Sequence, residues 1–308
     1  MSPRVGHLLA KSSLGAMHGH RFARLMAAAK TPVESQNKVL SAIMAANAGT
    51  TFGKRHAFRA IRRASDYRQA VPVHTYEDLR ADIEAQESTG EARLTRERPV
   101  YYNRTSGTVA SPKNIPVTGS GLKRIQGHQQ LAAYSFSRWP GLFGGKMFAV
   151  TGAAVEGHMP GGSRYGSASG LLYQNQPKLL RARYVLPAEL SSMEDYEERY
   201  LAMAVFALVQ PRVTCAAMPN SSTLLRLLDI VNQRTDELLR FVADGRLPGG
   251  VPSAASAALK PQPRRASELG RILDAHGKLS YADIWPNLTG LVTWTGGSCG
   301  VAIRNLRP

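Results

Sequence analysis

Acidic side chains are scarce in this sequence. Its 308 residues hold 22 Asp and Glu against 39 Lys and Arg, which gives a formal net charge of +17 at pH 7. Such an excess often accompanies binding to nucleic acid or to an anionic membrane. The basic residues are scattered, however, with no block of like charge and no RNA-binding aromatic motif. We therefore interpret the charge as favourable to a polyphosphate ligand and to solubility.

Cysteine and long apolar runs are scarce as well. Two cysteines, Cys215 and Cys299, make neither a disulfide framework nor a metal cluster, and we predict that both are small buried apolar residues. The isolated histidines show no paired metal-ligand spacing, so no metal ligand is assigned. No uninterrupted apolar run is long enough to span a bilayer. These features predict a cytoplasmic protein without a membrane partner.

The N-terminal third is predicted to be mainly helical. Residues 1–30 contain no acidic side chain, which suits either a transit peptide or an N-terminal helix packed on the body, and we predict the helix. Capping boxes predict two further helices, one beginning at Thr31 and one at Thr75. We interpret the basic residues between these two helices as a solvated face rather than a site: Lys54, Arg55, Arg59, Arg62 and Arg63.

From about residue 98 onward, strand patterns alternate with helix patterns. That order predicts an α/β fold, with mainly parallel sheets flanked by helices. Accordingly, residues 1–97 are predicted as a helical segment of the same domain and residues 98–308 as its α/β core. The predicted strands are Pro99–Asn103, Ile115–Thr118, Met147–Thr151, Arg212–Ala217 and a buried Leu291–Trp294. We also predict one long helix from Pro219 to near Gly245, a loose excursion over 247–267 and a helix over Arg271–His276.

A hydroxyl-rich loop follows the first predicted strand. Thr105, Ser106 and Thr108 surround Gly107, and Lys113 comes just beyond them. Backbone N–H groups and hydroxyls in such a turn can face a phosphate oxygen while the lysine supplies charge, and the glycine permits a positive φ. The residues on either side of the lysine do not fit the Walker loop of common NTPases. Between Glu97 and Glu189 the sequence has one acidic residue, Glu156, which favours a polyphosphate here. An ordinary polar turn between two strands is the alternative.

The order Thr-Ser-Gly-Thr-x-x-x-Pro-Lys resembles the phosphate loop of adenylate-forming enzymes. Within that superfamily, the chain is similar to the auxin-responsive Gretchen-Hagen-three family of acyl acid amido synthetases. Further stretches support the resemblance, in the family's order and through most of the chain: Thr51–His56, Pro72–Leu79, Tyr165–Gly170, and Ile284–Leu288 with Trp294–Ser298. The loop departs from the family at Ala110, where a glycine is usual, and this change can weaken nucleotide binding.

The resemblance implies ATP and Mg²⁺ as cofactors, with a carboxylic acid and an amine, such as an amino acid, as substrates. The acid would be activated as an acyl adenylate and transferred to the amine. The resemblance assigns contacts with the ATP phosphates to Thr105, Ser106, Gly107 and Thr108, and neutralisation of their charge to Lys113. It places the adenosine part of ATP near Gly296, Gly297 and Ser298. No catalytic residue is assigned.

The resemblance also raises the possibility of an incomplete enzyme. The family's later tyrosine–glutamate and aspartate motifs, and its small mobile C-terminal domain, are not found in this sequence. We therefore expect a truncated or degenerate member that resembles the N-terminal half of the family and is inactive alone. The alternatives are a non-catalytic nucleotide- or partner-binding protein and, more weakly, a basic nucleic-acid-binding protein.

Overall fold

The computed structural model describes residues 3–105, 112–257 and 259–306. The chain forms two compact units. The larger unit comprises Met1–Ser13, Ser135–Ala153 and Ser169–Pro308. The smaller unit comprises Leu14–Tyr134 and Ala154–Ala168, so the predicted boundary at residue 97 lies inside it.

Helices fill the part of the chain before residue 99, and strands are interspersed among helices after it. The helices are α1 (Pro3–Ala28), α2 (Pro32–Asn47), α3 (Thr51–Arg55), α4 (Ala64–Ala70), α5 (Tyr76–Thr89), α6 (Gly119–Phe136), α7 (Ala168–Gln174), α8 (Lys178–Arg181), α9 (Tyr196–Val209), α10 (Ser222–Gln233), α11 (Thr235–Asp244), α12 (Ser253–Ser256), α13 (Pro263–His276), α14 (Tyr281–Ile284) and α15 (Ser298–Leu306). The strands are β1 (Pro99–Arg104), β2 (Asn114–Thr118), β3 (Lys146–Ala149), β4 (Gly157–His158), β5 (Arg164–Gly166), β6 (Val213–Ala217) and β7 (Gly290–Val292). Short 3₁₀ turns lie at Phe58–Ala60 and Ala188–Ser192.

The larger unit is built on a parallel sheet in the order β3-β6-β7. Helix α9 packs into its core, and every residue from Tyr200 to Val209 is buried. A helix that is apolar on all sides must be covered on all sides, which explains this burial. The predicted parallel α/β fold is therefore confirmed.

The smaller unit contains a mixed sheet in the order β2-β1-β5-β4. β1 pairs antiparallel with β2 and parallel with β5. The central position of β1 buries Tyr101 and Tyr102, which are 2% and 0% exposed. This sheet fixes the point at which the hydroxyl-rich loop leaves β1.

The predicted capping box at Thr75 is confirmed. Thr75 N–H donates to Asp78 Oδ2 at 2.6 Å, and Thr75 Oγ1 accepts from Asp78 N–H at 3.4 Å. The predicted box at Thr31 is wrong. Thr31 makes no side-chain cap bond, and Glu34 pairs instead with Lys38 at 2.7 Å.

The predicted long helix after Pro219 is two helices, α10 and α11. Arg234 separates them with a non-helical φ of −124° and ψ of 32°. The Thr235 hydroxyl donates to the Val231 carbonyl at 2.6 Å, and such bonds from Ser or Thr to the preceding turn bend helices. Arg234 also pairs with Glu237 in the first turn of α11, which favours the new start.

Two predictions near the C-terminus need correction. The loose excursion predicted over 247–267 includes α12 and the first residues of α13, which begins at Pro263, a residue suited to a first helical turn. The predicted buried strand Leu291–Trp294 is shorter, because β7 covers Gly290–Val292. Trp294 lies beyond it and is 69% exposed.

The prediction that Cys215 and Cys299 are buried is confirmed. Both cysteines are buried and neither forms a disulfide. Burial raises the pKa of the Cys215 thiol to about 11, so this thiol stays protonated near neutral pH. Across the described part of the chain, no helix is both long and apolar enough to cross a membrane.

Candidate functional site

The hydroxyl-rich loop connects β1 to β2, and these two strands form an antiparallel hairpin in the smaller unit. Thr105 N–H donates to the Lys113 carbonyl at 3.0 Å, and Lys113 N–H donates to Thr105 Oγ1 at 3.2 Å. These two bonds continue the β1–β2 pairing, so they fix both ends of the loop against each other. Ser106, Gly107 and Thr108 lie outside the described residues, as does Ala110. The structure thus brings together Thr105 and Lys113 from the predicted phosphate contacts.

Aromatic rings lie beside a basic side chain at each end of this loop. The Arg104 guanidinium carbon is 4.5 Å from the centre of the Tyr165 ring, and the Lys113 ammonium is 5.9 Å from the centre of the Tyr76 ring. Asn114 N–H donates to the Tyr76 hydroxyl at 2.9 Å, which fixes that ring against β2. These contacts orient two cations at the loop root without neutralising them.

Residue-by-residue analysis of the sequence missed both tyrosines. Tyr76 belongs to the stretch Pro72–Leu79 and Tyr165 to the stretch Tyr165–Gly170, two of the stretches that carry the family resemblance. The sequence therefore contained both tyrosines within motifs that occur in the family's order. Motif order alone could not show that both stretches converge on the loop root.

Lys113 has no direct carboxylate partner in the described part of the chain, although the neighbouring helix α5 carries acidic residues. Among the described residues, no carboxylate oxygen lies within 4.0 Å of the Lys113 ammonium. Glu77 is nearby, but it pairs with Arg80 at 2.6 Å. The hydrogen bond from Arg80 is the main reason that the pKa of Glu77 is lowered, and the charge of Lys113 adds a smaller part. The acid-poor sequence window therefore does not describe the whole surroundings of Lys113, since α5 brings Glu77 close to it.

A second possible anion site in this unit is already occupied. The N-terminus of a helix favours negative charge, and α6 begins directly after β2. Glu97 Oε1 accepts from Ser120 N–H at 2.8 Å, and hydrogen bonds from residues of this first turn lower the pKa of Glu97. The protein's own carboxylate thus takes the place that a phosphate would need.

Buried polar contacts support β1 and β5 behind the loop root. Glu87 on α5 is 1% exposed and accepts from Ser163 N–H at 3.0 Å and from Ser163 Oγ at 2.9 Å. Tyr101 O–H donates to the Ala154 carbonyl at 2.8 Å. The Glu87 bonds hold the β4–β5 turn against α5, and the Tyr101 bond holds the segment before β4 against β1.

The predicted adenosine-side residues belong to the larger unit. Gly296 and Gly297 are exposed, and a Cβ at either position would meet no atom within 4 Å. Gly297 has a φ of +57°, the left-handed region that favours glycine, and α15 begins at the next residue, Ser298. The helix after this turn was not predicted. Ser221 Oγ anchors its first turn by donating to the Cys299 carbonyl at 2.9 Å. The turn is open, and its backbone is accessible to a flat ligand.

The described residues therefore define an α/β protein with a candidate phosphate loop on a basic, aromatic-flanked hairpin. A sequence profile described as "GH3 family N-terminal domain" matches residues 21–307. The chain belongs to the GH3 family, which confirms the resemblance stated above.

Relatives and solved structures agree with this membership. The chain is 26% identical over 291 residues to "Probable indole-3-acetic acid-amido synthetase GH3.2" of Oryza sativa subsp. japonica, covering 88% of this chain and 47% of the relative. It is 24% identical over 248 residues to "Indole-3-acetic acid-amido synthetase GH3.6" of Arabidopsis thaliana, covering 75% and 40%. The solved "GH3.15 acyl acid amido synthetase" superposes with a TM-score of 0.75 at 22% identity, covering 92% of this chain and 52% of that one. The chain spans about half the length of the curated relatives it matches.

Proposed function

We propose that this chain carries the ATP-phosphate-binding part of an acyl acid amido synthetase. The observation that carries the proposal is the loop root. There Arg104 and Thr105, at the end of β1, lie beside Lys113, which precedes β2. The names of the matched relatives supply the reaction class, because those proteins are called acyl acid or indole-3-acetic acid amido synthetases. One matched structure was solved "in complex with 2,4-DB".

The proposed reaction has two steps. A carboxylate oxygen attacks the α-phosphorus of ATP, the bond to the β-phosphate oxygen breaks, and pyrophosphate leaves. The amine nitrogen then attacks the acyl carbon, AMP leaves, and the amine loses a proton to solvent. In both steps negative charge at phosphate oxygens must be stabilised, and preorganised cations and N–H donors do this best in a fixed frame.

This chain's own groups would act as positioned donors. Thr105 Oγ1 is held at the loop root by Lys113 N–H, and the two cations at the loop root have no carboxylate partner within 4.0 Å among the described residues. Ser106, Gly107 and Thr108 would complete the cradle. Gly296, Gly297 and Ser298 remain proposed for the adenosine side, with an open turn as support.

Magnesium, which the family implies, prefers carboxylate oxygens and water as ligands. Within residues 3–105, 112–257 and 259–306, no group of three or more His, Cys, Asp or Glu side chains could hold a metal ion. The described residues do not fit a metal site, so no step proposed for this chain depends on one.

The first test is nucleotide binding, since the chain spans about half of its relatives. Lys113→Ala and Ser106→Ala are each expected to weaken ATP binding roughly tenfold or more, because a hydrogen bond to a charged group is typically worth about 1.5–3 kcal/mol. Titration calorimetry at low ionic strength measures the loss. Arg63→Ala is the matched control, an exposed cation far along the chain from the loop, and should bind as the wild type does. Equal ATP affinity in all three variants would remove the basis for the assignment.

A second function, nucleotide or partner binding without turnover, is favoured by one residue. Ala110 occupies a position where the family usually has glycine, and alanine in general has less backbone freedom than glycine. Acid-dependent exchange of labelled pyrophosphate into ATP separates the two functions. Exchange above background supports the synthetase, whereas ATP binding without exchange for any acid tested supports the binding protein.

A further inference from the structure

A separate cleft in the smaller unit has the chemistry of a ligand site. It encloses about 690 Å³ between the C-terminal half of α2, the turn that follows, the 3₁₀ turn Phe58–Ala60 and Arg96. That volume is within the range of small-molecule sites. None of its lining residues belongs to the loop 105–113 or to the turn 296–298.

The floor of the cleft is apolar and firmly packed. Met44, Phe58 and Ile61 line it, and each is 4–5% exposed. All three belong to one small hydrophobic core that also includes Phe52 and Val71. The floor is therefore a fixed surface rather than a set of mobile side chains.

The rim of the cleft is basic. Arg59, Arg62 and Arg96 line it, and all three are exposed. Backbone bonds fix two of their positions, since Ser41 Oγ donates to the Arg62 carbonyl at 3.3 Å and Arg96 N–H donates to Asn47 Oδ1 at 3.0 Å. Three arginines thus line the cleft together with its apolar floor.

These three arginines differ from their neighbours in their pairing. Arg55 and Arg93 both pair with the nearly buried Asp82, at 3.4 and 3.2 Å. Among the described residues, no carboxylate oxygen lies within 4.0 Å of a guanidinium nitrogen of Arg59, Arg62 or Arg96.

The nearest acids along the chain are Asp66 for Arg59 and Arg62, and Glu97 for Arg96, and Glu97 already accepts from Ser120 N–H at 2.8 Å. Asp66 accepts from the backbone N–H groups of Arg62 and Arg63, both at 3.0 Å, and from Ser65 Oγ at 3.1 Å. Its carboxylate therefore caps α4 rather than neutralising the rim. The sequence from residue 35 to residue 65 contains no other acidic side chain.

We propose that this cleft binds a small organic anion with an apolar body and an oxyanion head. The body lies on the floor of Met44, Phe58 and Ile61, and the head is held by the guanidinium groups of the rim. Planar guanidinium groups match the geometry of carboxylate and phosphate oxygens, so both heads belong to the same ligand chemistry. Two residues of the basic stretch that the sequence indicated as a solvated face, Arg59 and Arg62, are on this proposal part of the rim of a binding site.

Octyl phosphate and octanoate are the probes that test the proposal. Calorimetric titration into the full chain at low ionic strength is expected to show binding of both, and their order of affinity identifies the preferred head. Methyl phosphate and 1-octanol, which lack the body and the charge respectively, are each expected to bind at least tenfold more weakly. If either one binds as tightly as octyl phosphate, the combined recognition is wrong.

Variants locate the site. Arg62→Gln and Arg59→Gln are each expected to weaken octyl phosphate binding about three- to tenfold, a modest loss because exposed charges are screened. Arg63→Gln, the adjacent arginine outside the cleft, should leave this affinity unchanged. Both rim residues are exposed, so their variants keep the fold, and thermal melts of each variant check this directly. The same affinity in the wild type and both rim variants would overturn the proposal.

Discussion

Trp285→Ala is expected to lower the free energy of unfolding of the larger unit by about 3–5 kcal/mol, the usual cost of removing a large buried aromatic side chain. Trp285 is 1% exposed. Its ring centre lies 4.9 Å from that of Phe148 and 5.0 Å from that of Tyr281, and its indole N–H donates to the Ala207 carbonyl at 3.0 Å. The substitution therefore removes two aromatic contacts and leaves a buried carbonyl without its donor.

Trp294→Ala is the matched control for this experiment. Trp294 lies nine positions further along the chain but is 69% exposed, so its removal should change the free energy of unfolding by less than about 1 kcal/mol. Urea unfolding followed by circular dichroism measures both variants. Equal destabilisation by the two substitutions would contradict the core that the structure assigns to Trp285.

The second large effect is expected from Arg265→Ala. Arg265 is 6% exposed, and its guanidinium donates to the Leu208 carbonyl at 3.0 Å and to the Ile284 carbonyl at 2.8 Å. It thereby joins the end of α9 to the end of α14 from its place on α13. Removing it leaves two buried carbonyls unsatisfied, so we expect a loss of about 2–5 kcal/mol in the free energy of unfolding.

Glu268 provides the internal comparison. Its carboxylate lies 3.0 Å from Arg265 Nη1, but its side chain is 51% exposed. Glu268→Ala is expected to cost less than Arg265→Ala, because the Glu268 carboxylate is half-exposed and both bonds from Arg265 to the carbonyls remain. If Glu268→Ala destabilises as much as Arg265→Ala does in urea unfolding, the ion pair matters more than the bonds to the carbonyls, and the interpretation of Arg265 is wrong.

The local signals in the sequence predicted most of the individual elements. The Thr75 box and the strands on both sides of the loop depend on neighbouring residues, and the structure contains them. The alternation of strand and helix patterns predicted the α/β fold correctly, and the family resemblance came from stretches spread along the chain. These are short-range or linear patterns, which a single sequence records well.

Features that depend on distant partners were not predictable in the same way. Glu97 caps α6 from across β1 and β2, and Glu77 approaches Lys113 from α5. Trp285 and Trp294 both belong to the stretches Ile284–Leu288 and Trp294–Ser298 that carry the family resemblance, yet Trp285 is buried in the core and Trp294 is exposed. In the candidate site, the loop's residue types indicated a phosphate, but the placement of Tyr76 and Tyr165 at its root required the tertiary structure.

Hydrogen–deuterium exchange on the full chain with and without ATP tests the central claim most directly, because it reports where the nucleotide lies without any substitution. The account predicts that ATP slows exchange in the peptide covering residues 104–114, while peptides covering the cleft rim at 59–62 are unchanged. ATP binding with no protection at 104–114, or with protection confined to another segment, would contradict the assignment of the phosphate loop.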